Sequence, residues 1–194
     1  KSFTAKDAYF GSSPFIDLIH QLQLEISGAE VSFCAPLSFR AEIKEGDIYV
    51  SDMFNLYKYE NMLYVMELSG KEIKDFLEMA YAIWTNQMKS SEDHLMLFKP
   101  AGEKITIQSM SDGTPFSMDK VYKVALNSYR GNGGGDLLTL GAGISKEDLA
   151  KRIIFATDKD LRYYLMHQWK FIPEEWTVPA AKKDYQLLFG EEKK

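Results

Sequence analysis

Asn61-Met62-Leu63-Tyr64-Val65-Met66-Glu67-Leu68 is the stretch on which the fold turns. Its apolar residues fall on both faces of an extended chain, which is the pattern of a strand covered from two sides, so it reads as a central strand. Ser69-Gly70-Lys71-Glu72 follows directly. A serine with a glutamate three residues on is a capping box, in which hydroxyl and carboxylate reciprocally satisfy two amide donors left over at a helix start. It opens a helix whose buried face is Ile73, Phe76, Leu77, Ala80 and Trp84, fading near Met88.

Toward the N-terminus, Ser13-Pro14 starts another helix, with a hydroxyl at the cap and proline at the first helical position. Phe15, Leu18, Ile19, Leu22 and Ile26 share one face of it, and Gly28 stops it. Val31 to Ala35 alternates as a strand and ends at Pro36, and Asp52 to Tyr57 reads as a short helical turn. Toward the C-terminus, Lys104 to Ser109 alternates with Ile105 and Ile107 inward, Ser111-Asp112-Gly113-Thr114-Pro115 makes a turn, and Val121 to Asn127 is the next strand. Glycines 131 to 135 form a loop, and Thr157-Asp158 opens a last helix with Leu161, Tyr164, Leu165 and Trp169 on its stripe. Strands separated by helices, with one meander, make an α+β fold: a mixed sheet with flanking helices.

At 194 residues the chain has the length of one domain, 1–194, with residues 171–194 as a C-terminal extension ending in a solvated Gly190-Glu191-Glu192-Lys193-Lys194. The net charge of −5 and the lack of any Lys/Arg run speak against a nucleic-acid partner, so an anionic ligand has to be met by a few placed basic residues. A single cysteine, Cys34, excludes a disulfide framework and a zinc ribbon, and inside an apolar strand it reads as a buried thiol rather than a nucleophile. No window has the apolar length of a membrane span, and no secretory leader pattern is visible. A start at Lys1 without methionine suits an excised domain better than a mature product. Aromatic residues reach 13%, enough that some are free to stack on a planar ligand after the core is filled.

Chemistry-bearing motifs are sparse. His20, His94 and His167 stand far apart without metal-ligand spacing, and nothing clusters His, Asp and Asn as a two-metal hydrolase site requires. There is no Gly-x-Ser-x-Gly elbow and no Walker loop. Three patches remain. Gly131-Asn132-Gly133-Gly134-Gly135-Asp136 reads by itself as a flexible connection; three consecutive glycines flanked by Tyr129 and Asp136 also suit close approach of backbone to a ligand. Tyr57-Lys58-Tyr59-Glu60-Asn61 is polar and aromatic where the chain enters the central strand, a place where ligands bind as readily as a strand is capped. Arg40, in a loop after Pro36, is the third; a lone loop arginine is ordinarily solvated.

In this order the patches resemble a known family. Phe15-Ile16-Asp17-Leu18-Ile19-His20, Ala29-Glu30-Val31-Ser32-Phe33, Gly46-Asp47-Ile48, Asn61-Met62-Leu63-Tyr64, Leu68-Ser69-Gly70-Lys71-Glu72-Ile73 and Asn127-Ser128-Tyr129-Arg130-Gly131-Asn132-Gly133-Gly134-Gly135 are similar to the C-terminal domain of the 5′-nucleotidases. The nearest flavour is the bacterial 2′,3′-cyclic-nucleotide 2′-phosphodiesterase/3′-nucleotidase branch, and the likeness covers roughly residues 7 to 170. It implies a nucleoside- or nucleotide-binding domain serving nucleotide catabolism in a periplasmic or surface-anchored hydrolase. No cofactor is expected in this domain; two divalent metals and the catalytic residues would belong to an N-terminal metallophosphoesterase domain of the same polypeptide.

Carried over by residue, the resemblance makes Arg40 the arginine near the substrate. Tyr59 and Asn61 become the aromatic-x-Asn motif that stacks on and contacts the base, and Tyr129 the second stacking ring. Asp136, or Gly135 one register earlier, takes the place of the ribose-binding carboxylate, with Gly134 and Gly135 leaving room beside the base. Two departures stand out: residues 1 to 13 lack the paired arginines of the family, and the stretch from His94 to Pro100 is short. The alternative reading is a stand-alone, non-catalytic binding or interaction module with the same fold.

Overall fold

The computed structural model describes residues 3–4, 14–35, 42–47, 49–84 and 104–170. The 171–194 extension, Met88, the short 94–100 stretch and Arg40 lie outside these residues. The fold is a mixed α/β arrangement around a four-stranded sheet, as the sequence pattern predicts. In chain order the elements are β1 (Phe3–Thr4), α1 (Pro14–Ser27), β2 (Val31–Ser32), β3 (Glu42–Ile43), α2 (Val50–Leu56), β4 (Met62–Ser69) and α3 (Gly70–Trp84). Then come β5 (Val121–Asn127), α4 (Ser128–Gly131), α5 (Lys146–Arg152), β6 (Ile153–Asp160) and α6 (Leu161–Lys170). The sheet runs β2-β5-β4-β6, with β2 parallel to β5 and both β5 and β6 antiparallel to β4; β1 and β3 form a separate two-stranded pair.

The two-faced apolarity of β4 now has its cause. Side chains alternate across a strand, and each face of β4 and β5 meets its own hydrophobic cluster. Leu63 and Ala125 pack with Phe15, Leu18, Ile19 and Leu22 of α1 and Leu161 and Leu165 of α6. Met66, Leu68, Tyr122, Val124 and Leu126 pack on the other face with Ile73 and Phe76 of α3, and with Leu137, Leu138 and Leu149. The capping box at the β4–α3 junction is formed: the Ser69 amide donates to Glu72 Oε2 at 2.7 Å and the Glu72 amide to Ser69 Oγ at 3.2 Å. Gly28 ends α1 with a φ of +61°, a left-handed turn that glycine adopts without cost.

Four expectations change. Lys104 to Ser109 is not a strand: the Ile105 amide is taken by the Glu78 carboxylate of α3, and pairing is limited to an isolated bridge between Ser109 and Pro115. The strand at Val31 to Ala35 is shorter, Val31–Ser32, although the Phe33 amide still reaches Ala125 O at 2.8 Å. The glycine run is a chain of tight turns rather than an open loop, with α4 followed by a 3-10 turn at Gly134–Asp136 and a π-type turn at Leu137–Gly141. Finally, Thr157-Asp158 does not start the last helix. It lies within β6, where Thr157 Oγ1 accepts from the Leu63 amide at 2.9 Å beside a register shift in the β4–β6 pairing. Asp160 is the true cap, accepting from the Tyr163 amide at 2.7 Å.

Candidate functional site

Two patches singled out in the sequence meet at one end of the sheet. β4 begins where β5 ends, because Leu63 pairs with Asn127. The Met62 amide donates to Ser128 Oγ at 3.1 Å, tying the chain entering β4 to the chain leaving β5. The segment 57–61 and the run from Tyr129 to Asp136 are therefore brought to the same sheet end by register alone.

Within 57–61 the aromatics divide their roles. Tyr57 is 1% exposed, in the cluster against α1 and α6. Burial pushes its phenol up, and hydrogen bonding to the Asn61 and Asn127 side chains only partly offsets this. Tyr59 points the other way, 49% exposed, with the Lys58 ammonium 5.0 Å from its ring centre. Asn61 is buried, and its carbonyl accepts from the Leu161 amide at 2.9 Å. Its side-chain amide thus has a partner inside the protein in Tyr57, besides any it would have on a ligand.

After β5, Asn127 Oδ1 caps α4 by accepting from the Arg130 amide at 2.9 Å. Tyr129 is 56% exposed, and the Arg130 guanidinium lies 5.4 Å from its ring centre. Arg130 Nη1 also donates to Gly134 O at 2.9 Å, folding the glycine turn back toward α4. Gly134 passes so close to Tyr129 that a β-carbon there would sit 2.5 Å from a ring carbon. Gly135 and Asp136 both have positive φ, +70° and +58°. For aspartate this is an uncommon conformation, tolerated because its short polar side chain bonds locally; here its carboxylate accepts from Thr139 Oγ1 at 3.3 Å and stays exposed.

Sequence reading did not single out Ser128 or Arg130 as parts of this end, nor Arg162, which is buried beneath 57–61. An Asn-Ser pair at the end of an apolar strand is a cap signal that would have found the first. The remaining candidates stand apart from chemistry. His20 Nδ1 lies 2.8 Å from Ser32 Oγ, and burial pulls its imidazole down to about 4. His167 Nδ1 lies 2.9 Å from Tyr163 O. Burial raises the Cys34 thiol to about 12, so it is not a thiolate near neutral pH. Among the described residues no three of His, Cys, Asp or Glu come together as metal ligands. Two clefts of about 350 and 410 Å³ lie elsewhere, one beside Lys74 and Glu78 and one beside Glu42 and Asp52, and neither is lined by Tyr59 or Tyr129.

Comparison with known proteins supplies the context. Residues 1–141 match the family model described as 5′-nucleotidase, C-terminal domain. The trifunctional nucleotide phosphoesterase protein YfkN of Bacillus subtilis (strain 168) is 30% identical over 135 residues, which is 64% of this chain and 9% of that protein. A Staphylococcus aureus protein described as a 5′-nucleotidase, solved with alpha-ketoglutarate, superposes with a TM-score of 0.63 over 90% of this chain and 36% of its own, at 18% identity. A 5′-nucleotidase precursor from Thermus thermophilus gives 0.57 over 86% and 35%, also at 18% identity. At that identity the structures speak for the fold. The chain spans only a minor part of each of these relatives.

Proposed function

Because the chain belongs to the 5′-nucleotidase C-terminal domain family, we propose that it is the nucleoside-recognising part of a nucleotide phosphoesterase, clamping the base between Tyr59 and Tyr129. One observation carries this reading: two tyrosines, each about half exposed, stand at the sheet end where Leu63 pairs with Asn127. Buried tyrosines pack inward and bond their hydroxyls, as Tyr57 does; these two do not. An aromatic on each side presents two π-faces to a base, and stacking of this kind tolerates any base.

The other roles follow the family resemblance. Asn61 would meet the base edge while holding Tyr57, and the exposed Asp136 carboxylate would accept from sugar hydroxyls, with Gly134 and Gly135 keeping side chains out of the way. Arg40 would attract the phosphate, since a guanidinium keeps its charge and pairs with phosphate oxygens in a fork. On this reading hydrolysis belongs to an N-terminal metallophosphoesterase domain of the same polypeptide; among the described residues no three of His, Cys, Asp or Glu come together as metal ligands. Closure of that domain on this one would then gate turnover. A periplasmic or cell-surface setting accords with the family; among the described residues no helix is long and apolar enough to cross a membrane.

Titration of adenosine into the 194-residue chain, followed by tyrosine fluorescence, tests the reading. Saturable quenching that is weakened at least about fivefold in Tyr59→Ala and in Tyr129→Ala is expected. Binding at parental affinity in both variants, or no binding by the parent chain at millimolar nucleoside, overturns it.

A further inference from the structure

We propose that Arg162 is the positioning residue of the Tyr59 ring, holding the backbone before it and the Glu60 carboxylate after it while leaving the ring free for a ligand. The functional side of this rests on Tyr59 being a base-stacking residue.

Arg162 lies in the first turn of α6, and its side chain is only 6% exposed. Its Nη1 donates to Tyr57 O at 3.3 Å and to Lys58 O at 3.5 Å. Its Nη2 donates to Glu60 Oε1 at 3.3 Å and to Asp160 Oδ2 at 3.4 Å. The guanidinium carbon is 4.1 Å from the centre of the Phe54 ring, so one face of the cation is covered by an aromatic. The preceding residue, Leu161, donates its amide to Asn61 O. Residues 57, 58, 60 and 61 are thus all held from the start of α6. Tyr59 lies between them with its ring turned outward.

A guanidinium is costly to bury, and a fold that buries one must meet its donors. Here two of the four bonds go to backbone carbonyls, of Tyr57 and Lys58, and two to the carboxylates of Glu60 and Asp160. That use needs a planar fork able to reach two carbonyls and two carboxylates together, which the single ammonium of lysine cannot reproduce. A stacking ring gains affinity only if it is held before the ligand arrives. An ordered turn beneath Tyr59 provides that.

The test places 3-fluorotyrosine at position 59 of the full 194-residue chain and records its fluorine resonance in the parent, in Arg162→Lys and in Glu60→Gln. Without ligand, Arg162→Lys should shift or broaden the resonance, and an unchanged resonance overturns the proposal. With adenosine, Arg162→Lys should weaken binding about tenfold, yet have no effect in a Tyr59→Ala background, because interacting residues are non-additive. Equal weakening in both backgrounds marks a merely structural arginine and also overturns it. If the parent takes up no adenosine, the nucleoside reading fails, and the ligand-free spectra still decide the role of Arg162. If Arg162→Lys does not fold, Glu60→Gln serves instead. Its side chain is 79% exposed, and the same shift with a smaller loss of affinity, about threefold, is expected; an unmoved resonance in that variant overturns the proposal.

Discussion

Gly134 lies beneath the ring of Tyr129, and a β-carbon on it would come within 2.5 Å of a ring carbon and 2.6 Å of the Tyr129 carbonyl oxygen. The ring can swing away from such a contact; the carbonyl cannot move without the turn. Gly134→Ala should therefore cost about 1–3 kcal/mol of stability, as overpacking does. It should also displace Tyr129 and weaken adenosine binding by more than about tenfold, a loss in the range of one stacked base. Urea unfolding and fluorescence titration of the same preparation check both, and a variant that binds like the parent would show that Tyr129 does not need its present place.

His20 gives the fold an acid-sensitive point. Its imidazole falls from the ordinary 6.5 to about 4 because burial disfavours the charged form. The unfolded chain therefore takes up the proton first as pH falls. This contribution is fully present above pH 6.5 and is lost progressively toward pH 4. Between about pH 7 and pH 4.5 it amounts to about 2 kcal/mol. Urea unfolding at the two pH values should show the parent losing that much more stability than His20→Gln, which does not titrate; equal losses would refute the assignment.

Thr157 joins β6 to β4 through its side chain. Its hydroxyl accepts from the buried Leu63 amide at 2.9 Å and donates to Lys159 O at 2.8 Å, where the ladder shifts register. Thr157→Val keeps the shape and leaves that amide unpaired, so it should cost about 1–3 kcal/mol in urea unfolding. Thr157→Ser, which keeps the hydroxyl, should cost less; the reverse order would mean that packing rather than the hydrogen bond matters at this position.

These residues show what was legible in the sequence and what was not. The central strand and the helix after it could be read because their signals are local: two-faced apolarity at 61–68 and a capping box within four residues. Thr157-Asp158 misled because Thr is a good helix cap in isolation, whereas its hydroxyl here serves an amide 94 residues away in sequence. β6 went unread for a related reason: Ile154, Phe155 and Ala156 are exposed on an edge strand, so no inward–outward alternation marks it. At the site, the pattern Tyr57-Lys58-Tyr59 marked an aromatic patch without telling which ring is core. That choice is made by packing against α1 and α6. Arg162 was silent because, Asp160 aside, its partners lie more than a hundred residues upstream.

The isolated chain should release no phosphate from nucleoside monophosphates or 2′,3′-cyclic nucleotides, with or without added manganese or magnesium. A two-metal hydrolase holds its ions about 3.5–4 Å apart in a shared cage of ligands, and no such group forms among the described residues. Phosphate assays on a preparation freed of contaminating phosphatase check this. Metal-dependent release that a substitution in this chain abolishes would show that catalysis resides here after all.

Tyr59 and Tyr129 bear the sharpest expectation. Each is about half exposed, so replacing either with alanine removes little packing and should change stability by no more than about 0.5–1 kcal/mol. Stacking on a base is worth about 1–3 kcal/mol, which corresponds to a loss of roughly five- to more than a hundredfold in affinity for each variant. The two chemistries separate on substitution by phenylalanine. A ring that works through its π-face should keep nearly all its affinity in Tyr59→Phe and Tyr129→Phe, while a hydroxyl that bonds the ligand would be missed. Adenosine and uridine should suffer comparable losses in the alanine variants, because stacking does not read the base edge. Parallel titrations of both nucleosides against the four variants, with unfolding curves beside them, resolve the matter. If phenylalanine proves as damaging as alanine, or one nucleoside is affected and the other is not, recognition at this sheet end runs through hydrogen bonds and the two-ring clamp is wrong.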